Sequence, residues 1–492
     1  MRPLLRNYRP IVFVFVPLCV GTLLFVSAIY SGMLYQFDGD EVFNVQFSWL
    51  LTQGVLPYRD FIMLYTPVFH WFIAPIIALG RQDFSTLYTL RFVMVMLFAF
   101  RVGLLFSIVR SLFSRKTAGF VLPLLLLDPL YTFSGMQIRP DNLMLTASLF
   151  GIAGIIHALQ TKRTGWFIVS GALLSLGALV LLKSVPYTAI FLLSLLWFVW
   201  QKNMKKYFVP VIIGGLIPII SLLLYTKVAG ITQDMIQATL FEAARWASSV
   251  RYPTPPSFFY TPDNIYFFGI PGKPLTWLYL WVLPLLSAMG SFSILKRLLT
   301  SEKNNPSNIL RLGFVVMAWV QWFLFLVSPV IFVQYYLSFN WLFVILAAVG
   351  VDDIVTAANK RSAVFRGVFV VLFIMIALTA IRGNVARAQM NSEALEKQYQ
   401  MMWGMIPPDE PVFSYVLFRP IAYPVSFLGD NSRYLLSRLP SVSESLEKKH
   451  VRYLRMNEYH LQYMSSADRA YIRTHFEPQD TLDIWVRKKS AL

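Results

Sequence analysis

Long apolar runs separated by short polar stretches recur along the chain from residue 11 to residue 381. A bilayer core about 30 Å thick takes on the order of 20 apolar residues in one helix, so runs of this length predict membrane-spanning helices. The predicted spans are 11–35, 85–109, 118–134, 142–160, 165–182, 186–200, 207–226, 275–295, 309–328, 334–350 and 364–381. A further run, 61–80, is short and interrupted by Pro67 and Pro75. It reads as an interfacial helix and not as a span. Residues 42–52 are apolar at helical spacing and predict a second helix lying in the interface plane.

After residue 381 the pattern changes to polar and charged. Residues 412–416 and 481–486 read as strands, and 441–450 and 465–475 as helices, with Pro407, Pro408 and Pro440 as breaks. The predicted architecture is an all-α polytopic membrane protein, with about 11 spanning helices plus interfacial helices, followed by a small C-terminal α/β domain. The boundaries are 1–381 for the transmembrane module and 382–492 for the domain.

Composition agrees: 57% of residues are hydrophobic and 14% charged, against about a quarter charged in soluble domains. The first run is too long for a signal-peptide core, and no small-x-small cleavage site follows it, so it reads as a span. Sidedness follows from the loop cations. Arg2, Arg6 and Arg9 precede the first span; Arg110, Arg115 and Lys116, then Lys162 and Arg163, then Lys202, Lys205 and Lys206 follow at alternate loops. Lys296, Arg297, Lys303 and Arg311, and then Lys360, Arg361 and Arg366, continue the series. The N-terminus is therefore expected inside and the C-terminal domain outside the cytoplasmic (inner) membrane. The net charge of +18 is mostly this orientation signal and also favours anionic membrane lipid. No basic patch with interleaved aromatics stands outside these loops, which argues against nucleic acid. The single cysteine, Cys19, lies in the first span and can form no intrachain disulfide.

Chemistry is expected on the outer face. Asp40-Glu41 follows the first span, and two adjacent carboxylates at a membrane surface repel each other and are poor glue for a fold. Arg139-Pro-Asp141 lies between the third and fourth spans, Lys183 at the outer end of the fifth, and Gln334-Tyr335-Tyr336 at the start of the tenth. Cations and carboxylates converging on one face suit a substrate with a phosphate, a hydroxyl and a lipid tail. The Pro- and aromatic-rich loop 227–274 suggests a lid. The sequence has no Gly-rich phosphate loop, no Cys/His metal cluster and no Ser/His/Asp arrangement.

Asp-Glu in the first outer loop, then Gly54-x-x-Pro57-Tyr58-Arg59-Asp60, Arg139-Pro-Asp141 and Leu182-Lys183-x-x-Pro186 form an ordered set. It resembles the GT-C superfamily of membrane glycosyltransferases, and most of all glycosyltransferase family 39, the protein O-mannosyltransferase and aminoarabinose transferase relatives. The resemblance implies transfer of a sugar, a hexosyl or pentosyl group, from a polyprenyl-phosphate donor to a glycan, lipid or protein acceptor. It implies Asp40 as general base, with Glu41 and Asp141 as further catalytic carboxylates. Lys183 would face the donor phosphate, and Arg139, Tyr58, Arg59, Tyr335 and Tyr336 would complete substrate binding. Asp141 would either bind a divalent metal together with Glu41 or orient Arg139. Where protein mannosyltransferases usually carry a nearby His after the acidic pair, this chain has Phe43 and Asn44.

Each residue also has a structural reading. Asp141 would cap a helix, Lys183 would snorkel, Arg59 and Asp60 would pair with each other, and His70 would be a satisfied interfacial histidine. Arg101, at bilayer depth, is a functional candidate by default or a packing residue. The competing function is a non-catalytic transporter or polymerase-like membrane protein, which would place its charges near the midplane.

Overall fold

The computed structural model describes residues 19–245, 274–300, 307–328, 333–358, 363–424, 439–479 and 482–488. Most of the expected lid lies outside them. The chain divides into two compact units. One comprises residues 1–36, 91–219 and 255–391; the other comprises 37–90, 220–254 and 392–492.

In the first unit, apolar helices pack in pairs. Pro140–Thr161 lies against Thr164–Val180, Pro274–Thr300 against Leu337–Ala358, and Val185–Gln201 against Ser307–Leu326. Small residues permit this closeness, as expected where lipid removes the hydrophobic drive between helices. A Cβ at Gly290 would collide with the carbonyl of Leu346, and one at Gly350 with that of Leu286. Gly290→Ala is therefore expected to cost roughly 1–3 kcal/mol through overpacking, read as a lower unfolding temperature in detergent; an unchanged temperature would mean that the two helices separate easily.

Among the described residues, eight helices are long and apolar enough to cross a bilayer. They fall on eight of the predicted spans. Three others differ. The first run is described from Cys19 and continues helical to Leu34. Run 165–182 yields Thr164–Val180, too short to be counted with the eight. Run 118–134 is not one helix: it breaks into Val121–Leu127 and Pro129–Ser134. The cause is local. Pro129 has no N–H to continue the ladder, and Asp128 caps the second helix by accepting from the N–H groups of Leu130 (2.9 Å) and Tyr131 (3.1 Å). Its other oxygen accepts from Asn340 Nδ2 at 2.6 Å, so the buried carboxylate is satisfied.

The second unit is built on Gly39–Thr52 packed against Val68–Leu79. The latter ends after 12 residues, as expected of an interfacial helix. C-terminal to them stand helix Glu393–Met405 and a four-stranded sheet. Its strands are β1 (Val412–Phe413), β2 (Tyr453–Arg455), β3 (Phe476–Gln479) and β4 (Ile484–Arg487), in the order β1-β2-β4-β3. β1 pairs parallel to β2; the other pairings are antiparallel. Helices Val442–Lys448 and Ser466–His475 carry Leu446 and Ile472 into a core with Phe413, Leu454, Phe476 and Trp485. These are strand and helix elements of the kind that the sequence predicts for the C-terminal segment. Helix Ala363–Gln389 runs on past residue 381 before them.

His70, on helix Val68–Leu79, is fully buried. Its Nδ1 lies 2.9 Å from Ser48 Oγ, while Nε2 has no hydrogen-bond partner. Burial pushes its pKa down to about 3. The neutral ring is thus the folded form; its stabilisation is present above the unfolded-state value near 6.5 and is lost as pH falls from there toward 3. His70→Phe is expected to flatten the acid limb of the stability curve by roughly a kcal/mol per pH unit in that window. Parallel acid limbs for the two proteins would place the acid-sensitive group elsewhere.

Candidate functional site

The acidic pair lies in the second unit, and the structure splits it. The string Asp38-Gly-Asp-Glu41 starts a helix as a capping box. Asp38 Oδ1 accepts from the Glu41 N–H at 2.8 Å, and Glu41 Oε2 accepts from the Asp38 N–H at 3.2 Å. Glu41 is fully buried, whereas Asp40, one residue earlier in the same turn, is exposed. Asp40 is therefore presented as an accessible carboxylate in the first turn of the helix, while Glu41 holds the turn that presents it. The next turn carries Asn44, whose Oδ1 accepts from the Tyr65 hydroxyl at 2.8 Å.

The Tyr58-Arg59-Asp60 turn is also in this unit. Tyr58 takes a left-handed φ of 69°, and its hydroxyl donates to the carbonyl of Tyr65 at 2.9 Å. Burial raises its phenol pKa. Arg59 does not pair with Asp60: its guanidinium donates to the carbonyl of Gly230 at 2.6 Å and lies 3.9 Å from Asp234. Asp60 Oδ2 accepts from the Leu56 N–H at 2.8 Å. Arg59 thereby ties the turn to the segment beginning the 227–274 loop.

The first unit brings together three other predicted residues. Asp141 is the second residue of helix Pro140–Thr161, with Arg139 at the N-cap position and Pro140 opening the helix. Lys183 stands in the 3₁₀ turn Leu182–Ser184, and its ammonium forms an ion pair with Asp141 Oδ1. Side-chain exposures of 22% for Lys183 and 5% for Asp141 show which partner is open to a ligand. The ammonium also lies 4.6 Å from the ring centroid of Tyr335, a cation–π contact. Gln321 Nε2 donates to the Lys183 carbonyl at 3.1 Å. Lys183 is thus aimed by a carboxylate, an aromatic face and a backbone tether, more than snorkelling requires. Asp141 is not the N-cap. Arg139 Nε donates to Gln137 Oε1 at 2.9 Å, and Tyr336 is buried edge-on to Phe325.

Directly after Asp141 in the chain, Asn142 centres a knot of hydrogen bonds with Arg101. Arg101, fully buried, donates to Asn142 Oδ1 (2.8 Å) and to the Gly135 carbonyl. Asn142 Nδ2 donates to the carbonyls of Ser134 (3.0 Å) and Gln137 (2.7 Å). One amide thus fastens the loop that delivers Arg139 and Asp141, and Arg101 fastens the amide. The signals in the sequence were a charge inside the second span and an Asn directly after Asp141.

Among the described residues no three His, Cys, Asp or Glu side chains gather as a metal-binding group. The two carboxylates expected to share a metal are otherwise engaged: Asp141 by an ammonium and Glu41 by a backbone N–H. The donor set does not fit a resident divalent ion.

The polytopic helical bundle has the fold of solved membrane glycosyltransferases of the GT-C type. Residues 65–225 match the family described as dolichyl-phosphate-mannose-protein mannosyltransferase, a stretch that contains Arg139, Asp141 and Lys183 but not Asp40. Two solved structures share the fold. ArnT from Cupriavidus metallidurans bound to undecaprenyl phosphate is 13% identical, covers 98% of each chain and superposes with a TM-score of 0.62. The oligosaccharyltransferase of Archaeoglobus fulgidus in its apo form is 13% identical, with 95% of this chain and 74% of that one covered and a TM-score of 0.50. No curated protein matches the chain in sequence. Among the described residues, eight helices of spanning length and the shared fold are those of an integral multi-pass membrane protein.

Proposed function

We propose that the protein transfers a hexosyl or pentosyl group from a polyprenyl-phosphate donor to a glycan, lipid or protein acceptor on the outer face of the inner membrane. The observation that carries this reading is Lys183, a partly open ammonium aimed by a buried carboxylate and an aromatic face. A phosphate at headgroup depth is the natural ligand for such a cation. Solved structures of the same fold include one with undecaprenyl phosphate and one whose protein is tethered to an acceptor peptide, which supports a lipid-borne donor and leaves the acceptor to experiment.

In this reading Asp40 takes the proton of the acceptor hydroxyl as its oxygen bonds to the anomeric carbon. The bond from that carbon to the phosphate oxygen breaks, and the polyprenyl phosphate leaves as an anion. Lys183 offsets the charge that grows on it, with Asp141 holding the ammonium in place and Arg139 beside it on the same loop. Tyr335 gives the cation its apolar wall. Tyr58, Arg59 and Tyr336 are proposed to shape the substrate surface through the turns they hold. The N-terminus inside and the C-terminal domain outside give this chemistry an extracytoplasmic location.

The test is purified protein in lipid with a short-chain polyprenyl-phosphate sugar, together with mass spectrometry of envelope glycans and glycoproteins from cells with and without the protein. Loss of one sugar from an envelope component is expected. Identical glycans, together with no donor turnover, would defeat the transferase reading.

A further inference from the structure

The C-terminal tail is gripped by the helix that carries Asp40. Gln46, two turns along from Asp40 and fully buried, uses both ends of its amide. Its Nε2 donates to the Arg419 carbonyl at 2.7 Å, and its Oε1 accepts from the Phe418 N–H at 2.7 Å. Trp49 meets Phe418 edge-on at 6.3 Å. At the start of the helix, the Ser392 hydroxyl accepts from the Phe37 N–H at 2.8 Å. A side-chain amide that replaces a backbone partner at both its atoms fixes register as well as distance.

The gripped segment is itself held in an unusual shape. Ser414 and Phe418 have φ of 67° and 60°, the left-handed region that side chains other than glycine seldom take. Such geometry persists only where the surroundings enforce it. Between these two residues lies Tyr415. Its ring meets Phe43 of the Asp40 helix edge-on at 5.9 Å, and its hydroxyl points to the Gly39 carbonyl at 3.5 Å, at the limit of a hydrogen bond. From the sheet side Arg455, in β2, donates to the Tyr415 carbonyl and the Tyr399 hydroxyl, both at 2.9 Å, with its guanidinium 5.0 Å from the Tyr415 ring centroid. Burial keeps the phenol protonated, and Asp40 and Asp38 add to that effect through space. The phenol is thus a neutral dipole in the field of the proposed base, with its hydroxyl only loosely committed.

We propose that segment 414–419 is a positioning element for Asp40, anchored by Gln46, and that Tyr415 is the side chain through which the tail acts on the turn bearing that carboxylate. The tail is then part of the catalytic apparatus and not an appended module. The inference rests on Asp40 acting as the base.

The experiment uses the full-length protein in lipid. Tyr415→Phe keeps the ring packing and the cation–π contact but removes the hydroxyl. Gln46→Glu keeps the acceptor for Phe418 and loses the donor to Arg419; Gln46→Leu loses both. The expected result is a fall in kcat per folded molecule of about tenfold for Tyr415→Phe, as small displacements of reacting groups produce, with donor KM unchanged. For the Gln46 variants kcat is expected to fall in the order Glu, then Leu. A tail that only stabilises the fold would lower the unfolding temperature and yield while kcat per folded molecule stayed at the wild-type value, and that result overturns the proposal. Asp40→Asn is assayed alongside. If it is inactive while Tyr415→Phe and Gln46→Glu turn over normally, the positioning role alone fails. If Asp40→Asn is itself active, the base assignment fails and the positioning role falls with it.

Discussion

Asp40→Asn is expected to lower turnover by on the order of 10²–10⁴, the contribution of a general base, with little change in donor affinity. The structure sharpens this expectation. Asp40 is the exposed member of the acidic pair, and its neighbour is occupied in the capping box. An amide at position 40 keeps the size and the helix start but cannot take a proton. Glu41→Gln should behave differently, because its side chain can still accept from the Asp38 N–H. It is expected to lose far less activity, and Glu41→Ala to lose helix stability by roughly 1 kcal/mol. Rates of sugar transfer at saturating donor separate the cases. Near-normal turnover in Asp40→Asn would remove it from the mechanism; a larger loss in Glu41→Gln would reverse the assignment of the pair.

Lys183→Ala is expected to weaken binding of a polyprenyl-phosphate sugar about ten- to a hundredfold, since a charge-assisted contact to phosphate is worth roughly 1.5–3 kcal/mol. The single variant has a second effect. It strands Asp141, whose side chain is 5% exposed, and breaking a buried pair costs roughly 3–5 kcal/mol. The informative comparison is therefore Lys183→Ala with Asp141→Asn in one chain, which removes the stranded charge. Stability should recover in the double variant, and donor affinity should not. Lys183→Arg should restore binding only in part, because a planar fork does not sit on Tyr335 and Asp141 as a compact ammonium does. Equal donor affinity in wild type and the double variant, measured by titration, would mean that the ion pair is structural, and Arg139 would become the next phosphate contact to test.

Much of the frame was legible in the sequence because membrane burial leaves a long, uniform trace. Eight predicted spans appear as helices of spanning length, and the strands near residues 412 and 484 appear where β-branched and aromatic residues cluster. Run 118–134 misled because its hydropathy is high throughout, while Asp128-Pro129 ends a helix by hydrogen-bonding chemistry that averages cannot register. The Arg59–Asp60 pairing misled for a similar reason: adjacent charges suggested each other, and the chain gave Arg59 partners some 170 residues away.

The sequence alone determined the class of fold, the presence of an α/β tail and the residue types able to take a proton or hold a phosphate, because hydrophobic period and charge are local quantities. Only the tertiary structure decided that Lys183 is held by Asp141 and Tyr335, and that Gln46 grips the backbone of residues 418 and 419. Each of these is a contact between segments far apart in the chain. Such contacts depend on where the polar groups of other segments arrive, and no pattern along a single stretch of sequence records that.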